Sequence, residues 1–106
     1  MSVFLEHTAD TPALRILEYF IEFPQNDHAI SDVITCVGIS RSTFYAAWPN
    51  LLKMQYLIRS RTVGKTGLYK LNLQNEYAKA FVHIYKTAIL EDIAKKRHKI
   101  KASTED

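Results

Sequence analysis

Gly38 is the residue that most narrows what this chain can fold into. It closes a short stretch whose apolar residues, Val33, Ile34 and Val37, recur at helical spacing. Two residues later Ser40 opens a second such run, through Phe44, Ala47, Trp48, Leu51 and Leu52. Glycine enters the left-handed conformation that ends a helix without steric cost. Serine accepts from the free N–H groups at the start of the next helix. A turn as short as Gly38-Ile39-Ser40 can join two helices that cross at about 90–120°. Val33, Val37, Ile39, Phe44 and Ala47 supply apolar surface where they would touch.

The flanking sequence completes an order of elements. Thr11-Pro12 is a good helix start, with a capping hydroxyl and a proline where its missing N–H costs nothing. Leu14, Ile16, Leu17, Phe20 and Ile21 then predict a helix over about 12–23, stopped by Pro24. Pro24-Gln25-Asn26-Asp27 is a turn, His28-Ala29-Ile30 a short strand, and Ser31 a cap for a helix over about 32–37. Past the second helical run, Leu57 to Val63 alternates, with Ile58, Ser60 and Thr62 on one side and Leu57, Arg59, Arg61 and Val63 on the other. Val63-Gly64-Lys65-Thr66-Gly67 is a hairpin turn, and Leu68 to Leu73 the return strand. Asn72 to Asn75 leads into a last helix, from about Glu76 to about Arg97. Pro49 interrupts the run that begins at Ser40. Its missing N–H and its clash with the preceding turn cost about 3 kcal/mol in a regular helix. A kink near Trp48-Pro49, or a helix restarted at Pro49, is expected, leaving Arg41 to Ala47 as the rigid part.

With 106 residues the chain makes one domain. No apolar run approaches the ~18 residues of a transmembrane helix, and the N-terminus lacks the pattern of a signal peptide. A single cysteine, Cys36, excludes a disulfide framework and a multi-cysteine zinc site. It is expected to behave as a small hydrophobe, in a reducing intracellular setting. Net charge is only +3, but its distribution is uneven. Residues 1–32 hold six acids against Arg15 alone, and residues 33–75 hold six bases and no acid. Residues 76–106 hold seven bases and five acids. Exclusion of negative charge from a 43-residue block is what a polyanion-binding face requires.

Over about residues 11–74 the chain resembles the winged helix-turn-helix DNA-binding proteins. The resemblance is carried by Ile39-Ser40-Arg41-Ser42-Thr43-Phe44-Tyr45, by Leu51-Leu52-Lys53-Met54-Gln55-Tyr56-Leu57-Ile58 and by Gly64-Lys65-Thr66-Gly67-Leu68-Tyr69-Lys70-Leu71. The last block looks like the wing of small prokaryotic, particularly archaeal, regulators. Ile34 departs from the pattern, standing where many such motifs carry alanine. The resemblance implies a mainly α fold with a small β-hairpin wing, in which the helix after Ser40 reads sequence and the wing adds affinity. A recognition helix enters the major groove by its N-terminal part, so Ser40, Arg41, Ser42, Thr43 and Tyr45 are candidate DNA contacts, with Ala46 small enough for close approach. Arg41 can bind a guanine edge or a phosphate, and Tyr45 a phosphate or a thymine methyl. In the wing the candidates are Arg59, Arg61, Lys65, Thr66 and Lys70. The plainer alternatives are a solvated first helical turn, Tyr45 packed at an interface, and hairpin bases that guard a sheet edge. Trp48 is assigned to the core.

The last helix is apolar around most of its circumference, which is more than one small core can cover. A second protomer is the expected cover, with Phe4, Leu5, Tyr77, Phe81, Ile84, Tyr85, Ala88 and Ile89 at the interface. The chain then divides into an arm (1–10), the DNA-binding domain (11–74), a C-terminal dimerisation helix (75–98) and a disordered tail (99–106). The four histidines are scattered, and Glu18 and Glu22 are a solvated pair; no metal, cofactor, small-molecule ligand, membrane contact or catalysis is expected. The partners expected are double-stranded DNA and a second copy of the chain. The leading function is a homodimeric, sequence-specific transcriptional regulator in the cytoplasm, associated with the nucleoid. The alternatives are a DNA-site-binding protein of a plasmid or chromosome partition system and a winged-helix adaptor between proteins.

Overall fold

A computed structural model describes the backbone of residues 2–104 and side chains as far as Arg97. Its elements follow from local chemistry. In α2 (Pro12–Glu22) the Thr11 hydroxyl accepts from the Leu14 amide at 3.2 Å, and Ile16, Leu17, Phe20 and Ile21 are buried. After the turn, β1 (His28–Ala29) leads directly into α3 (Ile30–Val37), whose N-cap is Ala29. The helix thus starts two residues earlier than the Ser31 signal suggests, because the strand delivers the backbone straight into the first turn. Gly38 ends α3 at φ 75°, its amide bonded to the Ile34 carbonyl at 3.0 Å. Ser40 caps α4 (Arg41–Lys53) through the Thr43 amide at 3.1 Å.

Pro49 does not break α4, which is continuous to Lys53. The proline ring lies on the exposed face, while Trp48 and Leu51 beside it are buried. The packing of those two residues holds the helix across a position whose local cost is about 3 kcal/mol. The Tyr45 carbonyl, which the proline cannot serve, belongs to a residue exposed to water.

β2 (Leu57–Val63) and β3 (Thr66–Leu71) form an antiparallel hairpin, and β1 pairs with the other edge of β3, giving the order β1-β3-β2. Leu57 lies opposite Leu71, Ile58 opposite Lys70 and Arg59 opposite Tyr69; Arg61 then lies opposite Leu68. Ser60 is therefore the extra residue of a β-bulge, and the simple alternation expected along this strand reverses there. Gln55, at φ 60°, turns the chain from α4 into β2. That unfavoured backbone is held by two asparagines. Asn72 and Asn75 each donate a side-chain N–H to the Gln55 carbonyl, at 3.0 and 3.1 Å. The Asn75 side-chain oxygen also accepts from the Tyr77 and Ala78 amides, capping α5 (Glu76–Thr104).

Two expectations for the ends of the chain are corrected. The arm contains a helix, α1 (Val3–His7), begun by Ser2, whose hydroxyl accepts from the Leu5 amide and donates to Glu18 at 2.5 Å. Phe4 is fully buried, edge-on to Tyr85 with ring centroids 6.0 Å apart, and Leu5 is 6% exposed. Both are covered from within the chain: α5 is too apolar for the main core alone, and α1 packs on part of it. Where a disordered tail over 99–106 is expected, the backbone of α5 is helical to Thr104; Glu105 and Asp106 lie outside the described residues. From Ile93 to Arg97 every residue of α5 is exposed. Cys36, expected to pack as a hydrophobe, is also exposed, because α3 is too short to bury more than the Val33 side.

The core joins Phe4, Ile16, Leu17, Phe20, Val33, Phe44, Trp48, Leu51, Leu57, Leu71 and Ala78. Replacing Phe4 by alanine removes a fully buried ring and is expected to destabilise the fold by about 3–5 kcal/mol in urea unfolding. Asn75→Ala, which removes a helix cap and a turn clamp together, is expected to cost about 2 kcal/mol in the same measurement.

Candidate nucleic-acid interface

Burial of Phe44, Trp48 and Leu51 turns the opposite side of α4 to solvent. Arg41, Ser42, Tyr45, Ala46, Pro49, Asn50 and Lys53 are all exposed there, Tyr45 to 46%. Residues 42, 46, 49 and 53 are spaced by four, three and four, which places them on one line along a 3.6-residue helix. Pro49, Asn50 and Lys53 were absent from the expected contact set, although the same spacing rule would have found them. Ser40 and Thr43 are less free than expected. The Ser40 hydroxyl caps the helix, donates to the Thr43 hydroxyl at 2.8 Å and lies 3.2 Å from that of Ser42. They build the first turn and hold Arg41 and Ser42 at its outer edge.

The sheet sorts the wing residues by face. Residues opposite one another in an antiparallel pair share a face. Tyr69 meets Trp48 of α4 edge-on at 5.0 Å, so its face is the one turned to α4. Arg59, opposite Tyr69, belongs to that face, as does Thr62, opposite Gly67. The Arg59 guanidinium donates to the Thr62 hydroxyl at 2.9 Å and lies across Gly67, where an added Cβ would sit 3.0 Å from its Nε. Arg61, Lys70 and Thr66 belong to the other face. Lys65 follows Gly64 at the tip, where φ is 61°. The strand pairing therefore puts Arg59 on the sheet face that packs on α4, and Arg61, Thr66 and Lys70 on the opposite face.

Arg61 is also already engaged. Its Nε donates to the Asp27 carboxylate at 2.9 Å, and the Ser60 hydroxyl donates to the same oxygen at 2.9 Å. The two bonds hold the Asp27 carboxyl below the usual carboxylate range. Elsewhere, Arg15 is paired with Asp10 at 2.5 Å. Partial burial and the neighbouring Glu18 push the Glu22 carboxyl up. Burial also pushes the Tyr19 hydroxyl up to about 12. Among the described residues no group of three His, Cys, Asp or Glu side chains comes together to hold a metal ion, and no helix is long and apolar enough to cross a membrane.

The residues expected between protomers separate in the same way. Phe4, Leu5 and Ala88 are buried within the chain, and Phe81, Tyr85 and Ile89 are half-buried. Tyr77 and Ile84 are exposed, together with Leu90 and Ile93, which the expectation omitted.

No protein-family model matches the chain, and no curated protein matches its sequence. Solved structures match in three dimensions. SSV1 F-93 is 24% identical, with a TM-score of 0.57 covering 79% of this chain and 91% of that one. MepR, a transcription regulator of the Staphylococcus aureus multidrug efflux pump MepA, is 14% identical, with a TM-score of 0.62 covering 91% and 76%. A possible transcriptional regulator from Methanosarcina mazei Go1 is 15% identical, with a TM-score of 0.53 covering 85% and 75%. At these identities the likeness defines the fold: a winged helix-turn-helix, with α3 and α4 as the helix pair, β2–β3 as the wing and α5 as an added C-terminal helix.

The Asp27 contact has a pH signature. Because its folded pKa is depressed, the carboxylate contributes stability above the ordinary value of 3.8 and loses it as pH falls through the lower folded value. Asp27→Asn is therefore expected to unfold at only slightly lower urea than wild type at neutral pH, with the gap closing as pH falls below 3.8.

Proposed function

We propose that the chain is a sequence-reading, double-stranded DNA-binding protein that regulates transcription as a homodimer in the cytoplasm. The observation that carries this is the outer face of α4. It lies in the acid-free stretch 33–75 and presents Arg41, Ser42, Tyr45 and Ala46 together, and the strand pairing gives Arg59 of the wing the sheet face that meets α4. That face suits the major groove: Arg41 can donate two bonds to a guanine edge, Tyr45 can meet a phosphate or a thymine methyl, and Ala46 lets the backbone approach. The bases of the wing suit backbone or minor groove. The descriptions of MepR and of the M. mazei protein as regulators support the same reading.

The homodimer rests on α5. Tyr77 is 69% exposed and Leu90 66%, and Ile84 and Ile93 are exposed as well. So many large apolar side chains along one helix suit an interface. A two-fold pair would present two copies of α4 to half-sites about 34 Å apart.

Fluorescence anisotropy with a duplex from upstream of the gene, and with a scrambled duplex, tests the reading across a salt series. Tight, salt-sensitive binding that favours the upstream duplex is expected, and Arg41→Ala should weaken it by about 5–150-fold while relaxing specificity. Equal, salt-sensitive binding to both duplexes would favour the partition alternative, and no binding at low salt would leave the adaptor. In sedimentation, Tyr77→Asp/Ile84→Asp is expected to convert a dimer to a monomer; a monomeric wild type would remove the dimer from the reading.

A further inference from the structure

We propose that Asp27 is a positioning residue of the wing: it holds Ser60 and Arg61 on the outer face of the sheet, so that Arg59, and not Arg61, is the wing arginine that meets DNA. The inference rests on the DNA-binding reading and assigns roles within the same site.

The argument begins with the strand. A regular β2 would put Arg59 and Arg61 on one face, two residues apart. The bulge at Ser60 separates them, because Arg59 lies opposite Tyr69 and Arg61 opposite Leu68. Both residues at and after the bulge are tied to a single oxygen of Asp27, each at 2.9 Å. Asp27 is itself placed by its neighbour His28, which pairs with Tyr69 in the sheet and packs against Tyr19, Phe20 and Phe23. The carboxylate therefore stands beside the β1 edge of the sheet and bonds to the point where β2 changes face. Its side chain is 18% exposed, and that of Arg61 is 65% exposed.

Arg59 is in the opposite situation. Among the described residues it has no carboxylate partner. Its one side-chain bond, to the Thr62 hydroxyl, leaves most of its five N–H donors free. The absence of a side chain at Gly67 lets the guanidinium lie flat across the strand on the side turned to α4. A free arginine there can meet a phosphate or enter a minor groove beside the bound helix. An Arg61 already neutralised by Asp27, on the far face, gains little from DNA, and the far face keeps the negative charge of Asp27 away from phosphate. An exposed ion pair contributes little to global stability, so its consequence is the direction in which the wing presents its charge.

The test uses the full chain, the upstream duplex and the scrambled duplex. Arg59→Ala should weaken binding about tenfold and lower the salt slope by about one. Arg61→Ala should leave the slope unchanged and weaken binding only a few-fold. Asp27→Asn should also weaken binding a few-fold, although it removes a negative charge near a polyanion, and the Asp27→Asn/Arg61→Ala pair should be no weaker than either single variant. If Arg61→Ala lowers the slope by one while Asp27→Asn tightens binding, Arg61 is the contact, Asp27 its competitor, and the assignment is wrong. Hydrogen exchange of the free proteins separates this inference from the DNA-binding reading. Faster exchange at the Ser60–Gly67 amides in Asp27→Asn supports the clamp even if no duplex binds, and unchanged exchange overturns it even if DNA binding is tight.

Discussion

Trp48 joins the three parts of this protein that must keep a fixed geometry. Its ring stacks on Phe44 of the same helix at 4.8 Å, lies 6.1 Å from Phe20 of α2 and meets Tyr69 of the wing edge-on at 5.0 Å. Aromatic pairs of this kind add about 0.5–1.5 kcal/mol each beyond the area they bury. Because the ring is only 5% exposed, α4 can dock in only one rotation. That rotation turns Arg41, Ser42, Tyr45 and Ala46 outward, and the Tyr69 contact packs the sheet against the inner side of the same helix. The same packing carries α4 through Pro49.

Charge is arranged around this frame. Three of the six acids of residues 1–32 are engaged within the chain: Asp10 with Arg15, Glu18 with Ser2, and Asp27 with Arg61 and Ser60. Only Asp27 reaches the wing, and it does so on the face turned from α4. The free cations at the proposed interface are therefore fewer than the bases of the acid-free block, and their positions are set by strand register as much as by sequence. At the other side of the molecule, α1 and the core cover one side of α5, while Tyr77, Ile84, Leu90 and Ile93 remain open.

Much of this was legible from the chain alone. The glycine at 38, the caps at Thr11 and Ser40, the alternation after Leu57 and the turn at Gly64 are local signals, and local hydrogen bonding realises each of them. The candidate contacts on α4 were legible for the same reason, since helical spacing separates Phe44 and Trp48 from Arg41, Ser42 and Tyr45. The wing candidates were legible only as a set of bases. A β-bulge has no composition of its own, so nothing at Ser60 announced that Arg59 and Arg61 would part. The short helix at Val3–His7 was hidden because five residues are too few to show a period, and its stability comes from Phe4 inside the core.

The amino-acid sequence by itself determined the order of elements, the outward face of α4 and the exclusion of acid from residues 33–75, because these depend on neighbours within one or two turns of chain. Tertiary structure decided which bases share a face, whether Pro49 breaks its helix, and which apolar residues of α5 are covered from within. Those outcomes depend on contacts between residues far apart in sequence: Asp27 with Arg61, Trp48 with Tyr69, Phe4 with Tyr85. Such contacts form only once the elements have packed.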